Sequence, residues 1–580
     1  MPSPHHRPFF RPQILEIFKN GYRREDLTAD CVAGITVGLI TLPLSLALGI
    51  ASIPHGTVTP YSAPAIGVFT AIIAGFLVSL FGGSRLQISG PTAAFIPIIL
   101  LIVEQHGYLG LMIATIMAGI MLVIMGILRL GTLIKYIPWP VTSGFTTGIA
   151  VLIIATQLSD FLGIHSKTTP PGTFLEILPW IILHLRKTNF ATFLIALFSL
   201  ALIFYWPRIA QQFGKRLKQI PGSIIAMTIA TVVVAILGLH ESAKIATVGS
   251  QFGAEALSSK LSFFHFPSIH LSLIRNLLAP AGTIALLGAI QSLLSAVVAD
   301  GLTSSRHNSN TELIAQGIAN IVSPFFGGLP STGAVARTSA NINSGARTPL
   351  AGIITALVLL LMVMFFAHYV IYIPMAVMAA ILIAGSLRMG EWHELQRIFQ
   401  MPPGDAVVFL TTFALTVVFD LVLAVGVGMV LAAILFIHRI AQTTEISRVT
   451  EEDMLESPAQ AAHGKKIPEG VIVYRIFGPF LFGAAEKMED AFESLGELPK
   501  VLILRLHLVT AMDATALNVL ESVVERIKYA GGCVVISGIH RQPLDLLRKA
   551  HFIEVIGREN FCATFDDALE RSNEIIRTTR

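Results

Sequence analysis

The chain has 580 residues and a mass of 62.5 kDa, is 53% hydrophobic with a mean hydropathy of +0.72, and is only 13% charged, against about 25% in soluble domains. That composition excludes an ordinary soluble enzyme. The balance of 40 Lys+Arg against 36 Asp+Glu, a net +4 with basic residues scattered between apolar runs, excludes a nucleic-acid partner, so a polytopic α-helical membrane protein is expected.

Residues 1–26 are polar, basic and Pro-rich (His5, His6, Arg7, Arg11, Lys19, Arg23, Arg24) and read as a cytoplasmic N-terminal segment without a cleavable signal peptide. Apolar runs long enough to span about 30 Å of hydrocarbon then fill 27–440, the expected transmembrane domain. Helices are predicted near 29–50, 63–81, 91–103, 108–128, 140–163, 190–207, 220–239, 276–300, 312–326, 334–344, 349–368, 372–386, 405–420 and 421–438, fourteen in all. The GxxxG pairs Gly34/Gly38 and Gly144/Gly148 predict close helix packing.

The third and tenth of these, after Gly90-Pro91 and after Gly333, are too short to cross and follow breaker-rich stretches, as half-helices do. Positions three and ten are equivalent in a repeat of seven, and since seven is odd the two halves have opposite topology. Interrupted helices at matching positions point to a transporter's central site; simple Pro-kinked spans are the alternative. With a cytoplasmic N-terminus, Arg85, Arg129, Lys135, Arg208, Lys215, Arg216, Lys218, Arg306, Arg347, Arg388, Arg397 and Arg439 fall inside. Lys167, Arg186, Lys187, Lys244, Lys260 and Arg275 fall outside. Both termini are then cytoplasmic, and the outer segment 240–275 is the least constrained part of this map.

Residues 441–467, with Glu451, Glu452, Asp453, Gly464 and Pro468 nearby, read as a linker. In 468–580 the strand-like runs VIVYRIF, VLILRL and CVVIS alternate with helical stretches at 484–496, 513–530 and 541–552, which predicts a small α/β domain. Cys31, Cys533 and Cys562 fit neither a disulfide framework nor a zinc site, and the 17 histidines show no ligand spacing, so no metal and no cofactor is expected.

Ser84 to Thr92 (SRLQISGPT) and Leu329 to Thr338 (LPSTGAVART) each lead into a short helix. A helix start offers unpaired N–H groups and about half a positive charge, so two such starts meeting at the midplane make an anion site. Ser89, Thr92 and Thr338 add hydroxyls and Arg337 adds a cation. An ionisable group at that depth is functional by default; otherwise Arg337 snorkels to an interface or pairs with Asp300 or Glu312.

The run Gly288 to Pro349 (GAIQSLLSAVVADGLTSSRHNSNTELIAQGIANIVSPFFGGLPSTGAVARTSANINSGARTP) resembles the signature of the bacterial sulfate permease (SulP) family, which includes prestin among its animal relatives. Asp30 to Gly49, Gly82 to Phe95 and the C-terminal domain fit as well, so the resemblance covers nearly the whole chain. Among the branches it is most similar to the bacterial aerobic C4-dicarboxylate transporters, while bicarbonate and sulfate carriers share the motifs. The resemblance implies a seven-plus-seven inverted repeat, a core domain moving against a gate domain, a homodimer in the bacterial inner membrane, and a cytoplasmic STAS domain. It places a small anion among Pro43 and Leu44 of the first helix, Gly90, Pro91, Thr92 and Ala93 of the third, and Ala334, Val335, Ala336, Arg337 and Thr338 of the tenth, with backbone amides doing most of the binding.

One departure concerns coupling. Many bacterial relatives carry Glu or Asp in the eighth helix where this chain has Gln291. Gln cannot titrate, so proton or sodium coupling at that position is in doubt; Gln291 alternatively bonds a neighbouring helix. In the C-terminal domain, MDATAL resembles the turn at which anti-sigma-factor antagonists are phosphorylated, with Thr515 matching the acceptor and Asp513 capping the helix; ordinary helix capping is the competing account. A cytoplasmic partner of the STAS domain follows from the same resemblance.

The expected function is secondary transport of small anions by alternating access, without covalent chemistry. An anion channel or voltage-responsive motor, and an anion sensor signalling through the STAS domain, are the alternatives. Two helix starts at about +0.5 each plus Arg337 sum to about +2, which balances a dianion such as sulfate or a dicarboxylate better than bicarbonate.

Overall fold

The structure is a computed structural model that describes residues 10–54, 56–59, 61–132, 138–164, 174–213, 220–253, 257, 271–303, 305–419, 421–449, 466–493 and 498–578. Lys135, Lys167, Lys215, Arg216, Lys218 and Lys260 of the orientation argument, and Glu451, Glu452, Asp453 and Gly464 of the linker, lie outside the described residues. The chain divides into two compact units, Met1–Met429 and Val430–Arg580.

A helix stands at each of the fourteen expected places. Eight of the described helices are individually long and apolar enough to cross a membrane, or nine if Met375–Met389 and Trp392–Gln400, bent by 44°, form one span. Short helices that the hydrophobic pattern does not reveal occur at Gln13–Asn20, Phe174–His184, Val248–Phe252 and Trp392–Arg397. All four are shorter than a bilayer-spanning run, so an apolar-run reading passes over them.

Within the first unit the helices sort into two packed sets. One holds α1 (Arg24–Ser52), α2 (Ala63–Phe81), α3 (Ile96–Ile127), α5 (Leu271–Thr303), α6 (Ser309–Val322), α7 (Val335–Asn343) and α8 (Leu350–Val370). The other holds α4 (Trp139–Leu162), Phe190–Phe213, Met375–Met389 and α9 (Pro403–Val418). The expected GxxxG packing occurs in both sets. A Cβ on Gly34 would lie 2.6 Å from Ile354 Cγ2 of α8, and one on Gly144 would lie 2.5 Å from the Phe409 carbonyl of α9. A third such contact joins α3 to α6, where Gly119 and Gly317 each present a carbonyl within 2.7 Å of the other's would-be Cβ. Backbones this close make α6 a rigid wall against α3.

Two breaks shape this unit. Strand β1 (Ser89–Pro91) pairs antiparallel with β2 (Ser331–Gly333), with Gly90 opposite Thr332. All six residues are buried, so their side-chain and backbone polar groups need partners, and α6 supplies those of Ser89 and Ser331. Glu312, Gln316 and Asn320 share one face at i, i+4 and i+8. Gln316 Nε2 donates to the Ser331 carbonyl at 2.7 Å and its Oε1 accepts from Ser89 Oγ at 3.1 Å. Asn320 donates to the Ser331 carbonyl at 2.9 Å and accepts from its N–H at 2.8 Å. The second break is Gly107, whose φ of 68° interrupts α3 and separates the expected short third helix from the fourth. Asp30 on α1, fully buried, accepts from the N–H groups of Arg347 at 2.7 Å and Thr348 at 3.0 Å, which ties α1 to the loop after α7.

The second unit carries a five-stranded sheet of order β3-β4-β5-β6-β7, namely Glu445–Arg448, Val471–Phe477, Val501–Leu508, Cys533–Ser537 and Phe561–Cys562. Only the β3–β4 pair is antiparallel. The parallel centre explains the unbroken apolar run of β5, buried on both faces. Helices α10 (Phe482–Glu493), α11 (Ala514–Tyr529) and α12 (Phe565–Thr578) pack around it. The linker expected at 441–467 is thereby corrected: Glu445–Arg448 is a strand, too brief to show alternation, and its partner Val471–Phe477 lies beyond the linker. The carboxyl end of Leu421–Thr443 also belongs to this unit, because Lys487 Nζ on α10 donates to the carbonyls of Ala441 at 2.8 Å and Thr444 at 2.7 Å.

Candidate functional site

β1 runs into a short 3-10 turn, Ala93–Phe95, and then α3; β2 runs into α7. Because the strands are antiparallel, the two helix starts leave from opposite ends of a ribbon only about 7 Å long by strand rise. Neither start is closed by a side chain: Thr92 and Ala334 occupy the cap positions in extended conformation without a side-chain cap bond. The first-turn N–H groups of both helices therefore remain available for an external acceptor. Thr92, Ala93 and Ala334 are half-buried and Val335 and Ala336 exposed, so these starts are accessible while the strands behind them are buried. Pro43, buried, and Leu44, half-buried, lie on α1, a helix that packs against α7 and β1.

Arg337, the third residue of α7, is 2% exposed. Its Nη2 donates to the carbonyl of Pro91 across the ribbon, while Nε and Nη1 have no hydrogen-bond partner. The snorkelling and ion-pair alternatives both fail. Asp300 is engaged by His307 Nδ1 at 2.7 Å and Ser305 Oγ at 3.1 Å, and Glu312 Oε2 by the N–H groups of Gly83 and Ser84, both at 2.9 Å. A buried guanidinium with two unanswered donor positions is costly, and an anion at the helix starts is the species that would answer them. Gly90 makes the approach possible: with φ +154°, it would place a Cβ 2.6 Å from Arg337 Nη1.

Thr338 faces inward instead. Its Oγ1 accepts from the Ile88 N–H at 3.0 Å and bonds Ser295 Oγ of α5 at 3.0 Å, so it pins α7 to the approach of β1. Gln291 on α5 lies beside the first helix start, with Thr92 Oγ1 donating to its Oε1 at 3.5 Å. It bonds a neighbouring element and stands at the site, so the two accounts of it are compatible. The structure thus brings the segments 90–93 and 334–337 together with Gln291 and turns Thr338 into a strut; for Pro43 and Leu44 it shows only a place on α1. Sequence reading missed Gln316 and Asn320, although the polar spacing in ELIAQGIAN carried the signal.

In the second unit Asp513 caps α11 through Oδ1, which accepts from Ala516 N at 2.9 Å, while Oδ2 accepts from Phe482 N at 2.9 Å and so also fixes the start of α10. Gln542 holds the preceding residue by two hydrogen bonds: its Oε1 accepts from the Met512 N–H at 2.8 Å and its Nε2 donates to the Met512 carbonyl at 2.9 Å. Thr515 is exposed on the first turn.

A polytopic helical unit built around two facing half-helices, followed by an α/β sheet domain, is a membrane-transporter architecture. Comparison with known proteins bears this out: residues 27–412 match the sulfate permease family and 464–568 the STAS domain, and the chain belongs to the sulfate permease family. It is 37% identical over 548 residues to YvdB of Bacillus subtilis, a protein named for sulfate transport, covering 94% of this chain and 98% of that one. The transmembrane domain of a cyanobacterial bicarbonate transporter, BicA, superposes with a TM-score of 0.61 at 31% identity, covering 70% of this chain and 99% of that one. The murine anion transporter Slc26a9 in its inward-facing state shares the fold, with a TM-score of 0.83 at 17% identity over 97% of this chain and 94% of that one.

Proposed function

We propose that the protein is a secondary transporter of small anions, working by alternating access between the two helix sets around the β1–β2 crossing. The observation that carries the reading is Arg337: a buried cation, bound to the opposite arm by one nitrogen, with its other two donor positions unanswered beside two uncapped helix starts. Fixed charge of about +2 at the site favours sulfate or a dicarboxylate over bicarbonate. The seven-plus-seven repeat, the fourteen crossings, the cytoplasmic placement of both termini, and a homodimer in a bacterial inner membrane belong to the same reading.

Chemistry here is confined to binding. Backbone N–H groups of residues 92–94 and 335–337 supply short-range donors, Arg337 supplies charge, and Pro43 and Leu44 close the apolar side. A competition panel of sulfate, bicarbonate, fumarate, succinate and chloride against the purified protein tests this. Saturable binding of a dianion, with counter-substrate-accelerated uptake in liposomes, is expected. Ohmic anion current would identify a channel instead, and binding without flux a sensor.

A further inference from the structure

We propose that Glu312 is the proton-binding positioning residue of the anion site. This rests on the transporter reading above and names the group that takes over the coupling role Gln291 cannot perform.

Glu312 is fully buried near the start of α6. Its Oε2 accepts from the Gly83 and Ser84 N–H groups, both at 2.9 Å. The hydroxyl of Ser292, next in sequence to Gln291, stands beside the carboxylate and itself accepts from Gln87 Nε2 at 2.8 Å. The charged and titratable groups on the surrounding elements are otherwise engaged or placed elsewhere. Arg11 of the N-terminal segment pairs with Glu16 at 2.6 Å, and Arg85 of the adjoining loop is exposed. Asp300 and His307, in the approach to α6, pair at 2.7 Å. Arg129 lies just past the end of α3, Glu104 and His106 flank its break at Gly107, and Arg337 of α7 is turned to Pro91. Among the described residues, no cation forms an ion pair with Glu312. An ionised carboxylate in that setting is answered by two amide N–H groups and the Ser292 hydroxyl, all neutral dipoles, and taking up one proton removes a buried charge that no cation balances.

The two protonation states hold the site differently. Ionised, Glu312 grips Gly83 and Ser84 with charge-assisted bonds; neutral, it accepts more weakly. The gripped loop continues directly into β1, and on the way the Leu86 carbonyl accepts from Asn341 Nδ2 at 2.9 Å and the Ile88 N–H donates to Thr338 Oγ1 at 3.0 Å, both partners on α7. A change in the grip is therefore transmitted to both helix starts. Its charge supplies the sign, because a negative carboxylate disfavours an anion nearby. Proton binding and anion binding thus assist one another.

The test uses the full-length protein and whichever of sulfate, fumarate, succinate or bicarbonate the wild type binds. Wild-type affinity should fall by about tenfold per pH unit on the alkaline side, as one linked proton requires. Calorimetry in two buffers of different ionisation heat should show uptake of about one proton per anion. Glu312→Gln should keep the acid-side affinity at every pH and take up no proton, while Glu312→Asp should still take one up. An unchanged pH slope and proton uptake in Glu312→Gln would overturn the assignment. Should Glu312→Gln not fold, infrared difference spectra of wild-type protein with carbon-13-labelled glutamate decide: anion addition must raise a protonated-carboxyl band, and its absence rejects Glu312. A pH-independent wild type rejects Glu312 alone, whereas a wild type that binds no anion of the panel removes the transporter reading and this assignment with it.

Discussion

Three strand-to-helix turns in this protein begin alike and end differently. At β1 and β2 the chain passes from a buried strand into a helix whose cap position, Thr92 or Ala334, gives no side-chain acceptor. Beyond β5 the chain enters α11 under Asp513, whose carboxylate accepts from Ala516 N and Phe482 N. The STAS-domain turn carries its own anion and is closed; the membrane turns have no side-chain cap, and the proposed anion would take their amides. Whether a helix start binds a ligand or merely ends neatly is decided here by one side chain at the cap.

The sharpest way to break that contrast is to give the membrane turn its own carboxylate. Ala334 is in the extended conformation that a capping Asp uses, so Ala334→Asp should fill the site from within. Anion binding should be lost, while thermal stability stays near wild type. Retained binding in that variant, measured by equilibrium dialysis, would show that the α7 start is not part of the site.

Arg337→Ala removes the charge but leaves the amides. A charged hydrogen-bonding partner contributes about 1.5–3 kcal/mol, so affinity should fall roughly 10- to 150-fold, with the salt dependence of binding reduced. Unchanged affinity for every transported anion would make Arg337 structural.

Gln291→Glu places a titratable group beside Thr92. Because an ionised carboxylate there repels the substrate, the variant should match wild type at acidic pH and lose affinity more steeply as pH rises. Uptake measured against pH, with and without a proton gradient, checks this, and superimposable profiles would take Gln291 out of the coupling path.

Smaller effects are expected in the STAS domain. Asp513→Ala should open its turn and lower the stability of that domain by about 1 kcal/mol, read from its own melting transition, without changing anion affinity. A pH effect belongs to His507, whose pKa is lowered by burial and by nearby Arg505, Arg475 and His540. A folded state that binds this proton less readily than the unfolded chain is most stable above the ordinary histidine range and loses that stability as pH falls through the lowered value. The domain should therefore melt earlier at pH 5 than at pH 7, and His507→Gln should reduce the difference.

Much of this could be read without coordinates. Apolar runs located the helices, because spanning a bilayer imposes a length and composition that few other structures need. Breaker residues before the third and tenth helices marked the buried β1–β2 ribbon and the helix starts beyond it, and the alternation after residue 468 marked the sheet domain. The strand Glu445–Arg448 escaped, since four residues carry too little periodicity, as did the short helices such as Gln13–Asn20.

What only the tertiary structure decided is which polar groups are satisfied. The sequence allowed Arg337 to pair with Asp300 or Glu312 and allowed Thr338 to face the anion. Packing instead engaged Asp300 with His307, bound Glu312 to Gly83 and Ser84, turned Thr338 toward Ile88 and Ser295, and left Arg337 pointing across the ribbon to Pro91. Periodicity is a local property that a run of residues displays by itself. The pairing of buried donors and acceptors far apart in sequence, 250 residues between Ile88 and Thr338 and 318 between Asp30 and Thr348, exists only once the two halves of the membrane domain have come together.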